Sequence, residues 1–283
     1  MFTLKIENTK GEIFELSHNT QNYAVVGVQG LTRPQTAINT AVGGGIDGAF
    51  FNSARVEMRN IVIDLILCGN IEANRQQLYN IFPAKTECTV YFQNQNRNVK
   101  IMGYVETLGG DLFVSQERMQ ISIICPRPFW QDLNTIYTEL SRVLKMFSFP
   151  FSIAESPGVP FSDLLDYPLS IINNTGDVRC GIIIKISISG SFENLKIFNL
   201  TTQEYFGISY NLADGDQIEI NTISGQMSVK LIRGGASANL LNYVDGGSSW
   251  MKLEPGENRF TFTAGDADAV NITFETGVLY GGI

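Results

Sequence analysis

Histidine is almost absent from the sequence, because His18 is the single one among 283 residues. A Ser-His-Asp triad needs a histidine base, and most His-dependent zinc sites need more than one imidazole. His18 lies at the end of the second predicted strand and is given no catalytic or metal role. The sequence also has no CxxC pair, since its four cysteines are widely spaced, and reduced, buried thiols are expected at Cys68, Cys88, Cys125 and Cys180.

Clusters of positive charge and long apolar runs are missing as well. The formal net charge is -8, and Lys and Arg are scattered, so no specific nucleic-acid binding is predicted. The most apolar stretches, "IVIDLIL" and "GIIIKISI", are interrupted by Asp64 and Lys185, which argues against membrane insertion. The first residues alternate like a strand and lack the apolar segment of a secretory signal, so synthesis in a reducing cytosol is expected.

The first part of the chain has the alternating pattern of half-buried β-strands. "FTLKIEN" and "EIFELSH" flank the turn "TKG", where Gly11 supplies the positive φ of a tight hairpin. "ARVEMRNIVIDLILCG" is the longest predicted strand. A helix is predicted over "NIEANRQQLYNIFP", with Asn70 as its N-cap and Pro83 as its stop. Residues 1–132 are therefore predicted to form an antiparallel β domain with one helix packed on it.

A glycine-rich segment interrupts these strands. "TRPQTAINTAVGGGIDGAF" is polar and lacks the side chains that would pack a core, so it is predicted to be a mobile loop or an extended arm. It is not a phosphate-binding loop, because no Lys-Ser/Thr pair follows and the next segment is a strand. The candidate assembly arm comprises Gly43, Gly44, Gly45, Asp47 and Gly48.

Past Trp130 the apolar residues change to helical spacing. "DLNTIYTELSRVLKMF" predicts a short amphipathic helix capped by Asp132, and the proline-rich "SFPFSIAESPGVPF" predicts a linker, together covering residues 133–164. From residue 165 to 283, strands recur every eight to twelve residues with the turns "TG", "DGD", "SG" and "PG" between them. This rhythm predicts an all-β sandwich or jelly roll without helices.

No catalytic, cofactor or metal site is predicted. The pairs Asp214/Asp216 and Asp266/Asp268 lie where hairpins turn and lack the further ligands of a calcium loop. Trp250 could line a sugar-binding face together with Tyr205, Phe206 and Tyr210. It is therefore a candidate ligand-facing aromatic residue. A single tryptophan in a strand is more often part of a core, and both interpretations stay open here.

Two ordered series of segments carry a resemblance to a known family. In the first half these are "DGAFFNSARVEMRNIVIDLILCGN", "LYNIFP", "GYVETL" and "ISIICPRPFW". In the second half they are "DGDQIEINTISGQMSVKL" and "SSWMKLEPGENRFTF". The chain thereby resembles the distal tail protein of long-tailed bacteriophages, the hub subunit of the baseplate.

The resemblance implies a mainly β protein with two functional parts and no catalysis. The first part would be a tail-tube-like domain that assembles into a hexameric ring, joining the tail tube protein to the tail-tip protein. The second would be a galectin-like β-sandwich that carries receptor-binding or fibre proteins. The particle would be a phage, prophage or phage-tail-like bacteriocin, with a contractile or a non-contractile tail. A carbohydrate-binding module for host attachment is the alternative, and a glycan hydrolase is the weakest interpretation.

Overall fold

The protein is mainly antiparallel β in this computed structural model. The chain divides into two compact units, Met1–Leu133 with Leu279–Ile283, and Asn134–Val278, called here the first and second units. Among the described residues, no helix is long and apolar enough to cross a membrane. His18 lies outside the described residues, which are 2–16, 22–45, 47–112, 114, 116–140, 143–145, 162–164 and 168–283.

Strands of the first unit pair in the antiparallel path β2-β1-β7-β8-β9-β6-β3, and β4 pairs with β5 separately. The strand β10 begins in this unit and pairs there with β8. The elements are β1 (Thr3–Asn8), β2 (Ile13–Leu16), β3 (Tyr23–Gln29), β4 (Thr36–Ala41), β5 (Phe50–Val56), β6 (Arg59–Leu67), α1 (Ile71–Ile81), β7 (Glu87–Gln93), β8 (Asn98–Asp111), β9 (Arg118–Cys125) and β10 (Trp130–Leu140).

The core of the first unit follows directly from the alternation of its strands. In β6 every second residue is buried, and β9 contributes the same pattern beside it. The predicted hairpin turn is confirmed, with Gly11 at φ +77°. The predicted helix is confirmed too, because the Asn70 side chain accepts a hydrogen bond from the Ala73 amide at 3.2 Å. Sequence alternation was therefore sufficient to place this core.

A buried ion pair ties helix α1 to the start of β9. Arg75 donates to the Glu117 carboxylate at 2.8 Å, and both side chains are almost fully enclosed. Arg75 also contacts Glu72, one turn earlier on the helix. A buried charge left without its partner is strongly destabilising, so this pair fixes the helix on the sheet.

The cysteines differ in burial, and we expect their reactivity to differ accordingly. Burial raises the pKa of Cys88 and that of Cys125 to about 12 each, and it also raises the pKa of Cys180. Only the half-buried Cys68 should react with a thiol reagent at pH 8 in the native protein, because the thiolate is the nucleophile. Absorbance titration with peptide mapping checks this. Rapid modification of Cys88 or Cys125 without denaturant would contradict it.

The predicted helix over residues 132–147 is wrong. The structure has strand β10 there up to Leu140, and residues 143–145 form another short strand. Asp132, the predicted cap, instead pairs with Val99 of β8, and its carboxylate accepts a hydrogen bond from the Tyr280 hydroxyl at 3.1 Å. Sheet pairing therefore overrides the helical spacing, in a segment that contains the strand-favouring residues Thr135, Ile136, Tyr137 and Thr138. The predicted proline-rich linker, residues 148–161, lies outside the described residues.

The second unit is a sandwich of two antiparallel sheets, as predicted. One sheet has the order β23-β15-β18-β19-β20 and the other β13-β22-β16-β17; β14 pairs with β21 and β11 with β12. The elements are β11 (Val143–Lys145), β12 (Ser162–Leu164), β13 (Ser170–Asn174), β14 (Cys180–Gly181), β15 (Ile183–Ile188), β16 (Phe192–Asn199), β17 (Glu204–Leu212), β18 (Gln217–Asn221), β19 (Ser228–Arg233), β20 (Ala236–Asn239), a 3-10 helix (Leu241–Tyr243), β21 (Lys252–Leu253), β22 (Gly256–Thr263) and β23 (Val270–Tyr280).

The sandwich core lies between the inner faces of these two sheets. Phe260 of β22 and Phe274 of β23 meet with ring centroids 4.7 Å apart, so the sheets pack face to face. The 3-10 helix is a small departure from the expected absence of helices, and it lies in the connection between β20 and β21. The mainly β fold class predicted from the sequence is thus confirmed in both units.

Asp216 fixes the turn that connects β17 to β18, strands of different sheets, where turn chemistry was predicted. Its buried carboxylate accepts two hydrogen bonds from Arg233, at 2.7 and 2.6 Å, and one from the Ala213 amide at 2.9 Å. The Arg233 hydrogen bonds hold the pKa of Asp216 below its usual range. At the other predicted turn, Asp266 accepts from the Asp268 amide at 3.1 Å. Both aspartate pairs therefore form turns.

We expect the Asp216 interaction to make stability depend on pH. A depressed folded-state pKa contributes stability above the unfolded value of about 4, and this stability is lost as the pH falls through the lower folded value. Asp216→Asn should lower the free energy of unfolding by about 1–2 kcal/mol at pH 7, a modest loss because Arg233 is half exposed. Urea titrations at pH 7 and pH 2.5 check this. The difference in unfolding free energy between the wild type and Asp216→Asn should be smaller at pH 2.5 than at pH 7. An equal difference at both pH values would contradict the stabilising role of the ionised Asp216 carboxylate.

Candidate functional site

The candidate assembly arm is a two-stranded hairpin that projects from the first unit. We use "the arm" for residues 36–56, which comprise β4, β5 and the turn between them. Within the described residues, β4 and β5 pair only with each other. The predicted Gly43, Gly44, Gly45, Asp47 and Gly48 all lie in the turn, where Gly45 and Gly48 adopt φ of +79° and +94°. The sequence left a mobile loop or an extended arm open, and the structure has a two-stranded hairpin there.

One face of the arm is apolar and exposed. Residues paired across an antiparallel ladder share a face, and the pairs Thr36/Val56, Ile38/Ala54 and Thr40/Phe51 define this face. We call it the apolar face of the arm. Ile38 is 65% exposed and Phe51 67% exposed, and Val56 is also exposed.

A bulge in the arm decides which phenylalanine belongs to the apolar face. The register shifts between Asn39 and Thr40, so that Phe51 pairs with Thr40 and Phe50 with Ala41. Phe50 is therefore on the opposite face, beside Asn39 and Ser53, although it is 56% exposed and chemically identical to Phe51. The arm thus has one apolar face and one mixed face.

The arm presents an exposed apolar surface of the kind that binds other proteins. An isolated two-stranded hairpin is marginally stable in water, and contiguous exposed apolar surface marks an interaction site. Across the described part of the chain, no group of three or more His, Cys, Asp or Glu side chains is arranged to hold a metal ion. Burial of this apolar surface is the interaction that the exposed side chains of the arm favour.

Trp250 lies at a distance in sequence and in a different unit. Its ring packs on the buried Phe206 with centroids 5.3 Å apart, and it is half buried. The other aromatics proposed with it have other ring partners: Tyr205 packs near Phe198, and Tyr210 packs on Tyr243. Trp250 as a ligand-facing residue stays a prediction, and a glycan array probed with the full chain would test it.

Sequence reasoning missed two features of the arm region. It selected the glycines of the turn but not the apolar face, because only the bulge places Phe51 beside Ile38. It also gave no role to Arg59, which is buried where the arm joins the first unit. An arginine at the start of an otherwise apolar strand was the available signal, since charged residues are rarely buried without partners.

Comparisons with known proteins match both units separately. Residues 11–125 match a family model described as the RIFT-related domain of phage tail proteins. Residues 175–277 match a model described as the C-terminal domain of the siphovirus-type tail component. No curated protein sequence matches the chain.

Solved structures with a similar fold cover almost the whole chain. The crystal structure of the Dit protein of phage SPP1, titled a paradigm of hub adsorption apparatus in phages infecting Gram-positive hosts, has 14% identity and a TM-score of 0.68, over 98% of this chain and 99% of that one. A chain of the phage P2 baseplate in its activated conformation with calcium has 13% identity and a TM-score of 0.51, over 97% and 98%. At such identities the likeness shows the fold.

Proposed function

Since the chain belongs to the siphovirus-type distal tail protein family, the baseplate hub proteins of siphophages, we propose that its copies close into a hexameric ring through their arms. The protein is a structural component of the virion tail. The family membership supplies the hub role, and the arm supplies a physical means of association. In a closed ring, every copy makes the same pair of contacts, one with each neighbouring copy.

The apolar face of the arm is the observation that carries this proposal. Burying an Ile or Phe side chain contributes about 1.5–3 kcal/mol, and Ile38 and Phe51 are both mostly exposed in the single chain. Repeated at each contact around a ring, this burial offsets the cost of ordering the arm. The occupant of the apolar face is therefore a second copy of this chain.

The proposed ring joins the tail tube protein to the tail-tip protein, and the second unit carries receptor-binding or fibre proteins. The formal net charge of -8 supports a channel through which DNA passes without binding, because like charges repel. We propose that the protein is made in the cytoplasm of the bacterial host and then incorporated into the tail.

Deletion of residues 41–48 tests the proposed role of the arm turn. Negative-stain images of the purified full-length chain should show rings, and images of the deleted chain should not, because the shortened hairpin loses the turn that lets both strands extend. A deleted chain that forms unchanged rings would overturn the role of the turn.

A further inference from the structure

A single buried side chain holds the base of the arm. Arg59, the first residue of β6, is almost fully buried, and its guanidinium lies 5.5 Å from the Trp130 ring centroid. It donates hydrogen bonds to four backbone carbonyl oxygens, which belong to Gly30, Thr32 at 2.5 Å, Pro128 at 2.7 Å and Gly281 at 2.6 Å. Four carbonyls from distant parts of the sequence thus converge on one cation.

The planar fork of arginine suits this arrangement. A buried charge is costly unless its donors are satisfied, and in the described part of the chain no carboxylate pairs with Arg59. Burial lowers the pKa of Arg59, but a guanidinium stays protonated at neutral pH, and carbonyl dipoles stabilise its charge. A lysine ammonium has a single donor centre and cannot reach all four oxygens with the same geometry.

The carbonyls belong to three segments of the first unit. Gly30 and Thr32 lie where the chain enters the arm, and we call residues 30–33 the arm root. Pro128 precedes β10, through which the chain leaves this unit, and Gly281 follows β23, through which it returns. Arg59 is itself only three residues beyond the end of the arm. The Arg59 side chain therefore connects both ends of the arm to the segments through which the chain leaves and re-enters the first unit.

The arm root is closely packed, so the hydrogen bonds of Arg59 to Gly30 and Thr32 restrict the position of the arm. Gly30 has φ +80°, and a Cβ atom there would come within 1.9 Å of the Asn60 carbonyl oxygen, so only glycine fits. The Ile283 amide donates to the Leu31 carbonyl at 3.3 Å. The root thus lies between β6 and the returning segment, with little room to shift.

We propose that Arg59 is the positioning residue of the arm, which sets the direction of the hairpin and couples it to the segments where the chain leaves and re-enters the first unit. The consequence for assembly rests on the proposed ring. The coupling itself concerns a single chain, so it can be tested even where no ring forms.

Hydrogen exchange followed by mass spectrometry tests the coupling with Arg59→Met and Arg59→Lys. Both are made in a full chain that also carries Ile38→Ser and Phe51→Ser, so that contact between copies does not protect the arm. Amides of β4, β5 and Ile283 should exchange about tenfold faster or more in Arg59→Met, because hydrogen bonds to a charged group are lost. Arg59→Lys should be intermediate, and amides of β7 should change little.

Arg75→Met is the matched control. It removes another buried arginine of the first unit, whose partners are on helix α1 and before β9. Amide exchange should accelerate in helix α1 and just before β9, and it should stay unchanged in the arm.

Unchanged arm exchange in Arg59→Met, or equal acceleration of the arm in Arg75→Met, would overturn the proposal. If Arg59→Met does not fold, Arg59→Lys decides, and wild-type arm exchange in that variant would overturn it. Ring formation is scored separately, so its failure would leave this result intact.

Discussion

A chain carrying Ile38→Ser and Phe51→Ser should remain folded but elute as a monomer. Both side chains are exposed on the apolar face of the arm, so their replacement costs the single chain little. In the proposed ring they are buried, and each loss weakens a contact by about 1.5–3 kcal/mol. The pair should weaken every contact by roughly a hundredfold or more. Size-exclusion chromatography with light scattering measures the mass, and circular dichroism measures the fold.

Phe50→Ser is the matched control for this experiment. It removes the same side chain from the neighbouring position and leaves the apolar face intact, since Phe50 pairs with Ala41 on the opposite face. This variant should form rings like the wild type. The single variant Phe51→Ser should weaken the rings where Phe50→Ser does not. Equal loss of rings in these two single variants would contradict the assignment of the apolar face.

Trp130→Ala should destabilise the first unit by about 3–5 kcal/mol, the usual cost of removing a fully buried large aromatic side chain. Trp130 has no exposed surface, and its ring lies 6.4 Å from that of Phe92 and 5.5 Å from the Arg59 guanidinium. The substitution removes core contacts and one side of the Arg59 site. Urea unfolding of the full chain measures the change. It is followed by far-UV circular dichroism, because tryptophan fluorescence is altered by the substitution itself.

Tyr137→Ala supplies the control on the same strand. Tyr137 is exposed in β10, so its removal should change stability by less than about 0.5 kcal/mol. A Trp130→Ala chain with the wild-type urea midpoint would show that the ring does not support the core.

The stretch "ISIICPRPFW" was well predicted because its meaning is local. Alternation placed Cys125 inside the sheet, and the prolines mark the end of β9. Trp130, the aromatic residue that follows these prolines, is fully buried. Such features depend on neighbours in sequence, which a single sequence reveals.

The sequence predictions that were wrong concern segments whose structure depends on contacts between residues far apart in the sequence. The wrong helix over residues 132–147 satisfied helical spacing, but Asp132 is held in a strand by Val99 and by the Tyr280 hydroxyl, 148 residues away. The predicted single strand "ARVEMRNIVIDLILCG" is divided between the arm and β6 for a similar reason. Arg59 marks that division, and its partner Gly281 is 222 residues away. No local pattern contains these contacts.

A photo-crosslinking experiment tests the central claim that the arm of one copy contacts another copy. Benzoylphenylalanine replaces Val42, which is 81% exposed and directly follows β4. Isotopically light and heavy chains are mixed in denaturant and refolded together. Irradiation should give cross-linked peptides that join a light chain to a heavy chain. The same probe at the exposed Ile171 of the second unit is the control for random collision. Cross-links from position 42 that join only peptides of the same chain would contradict the account.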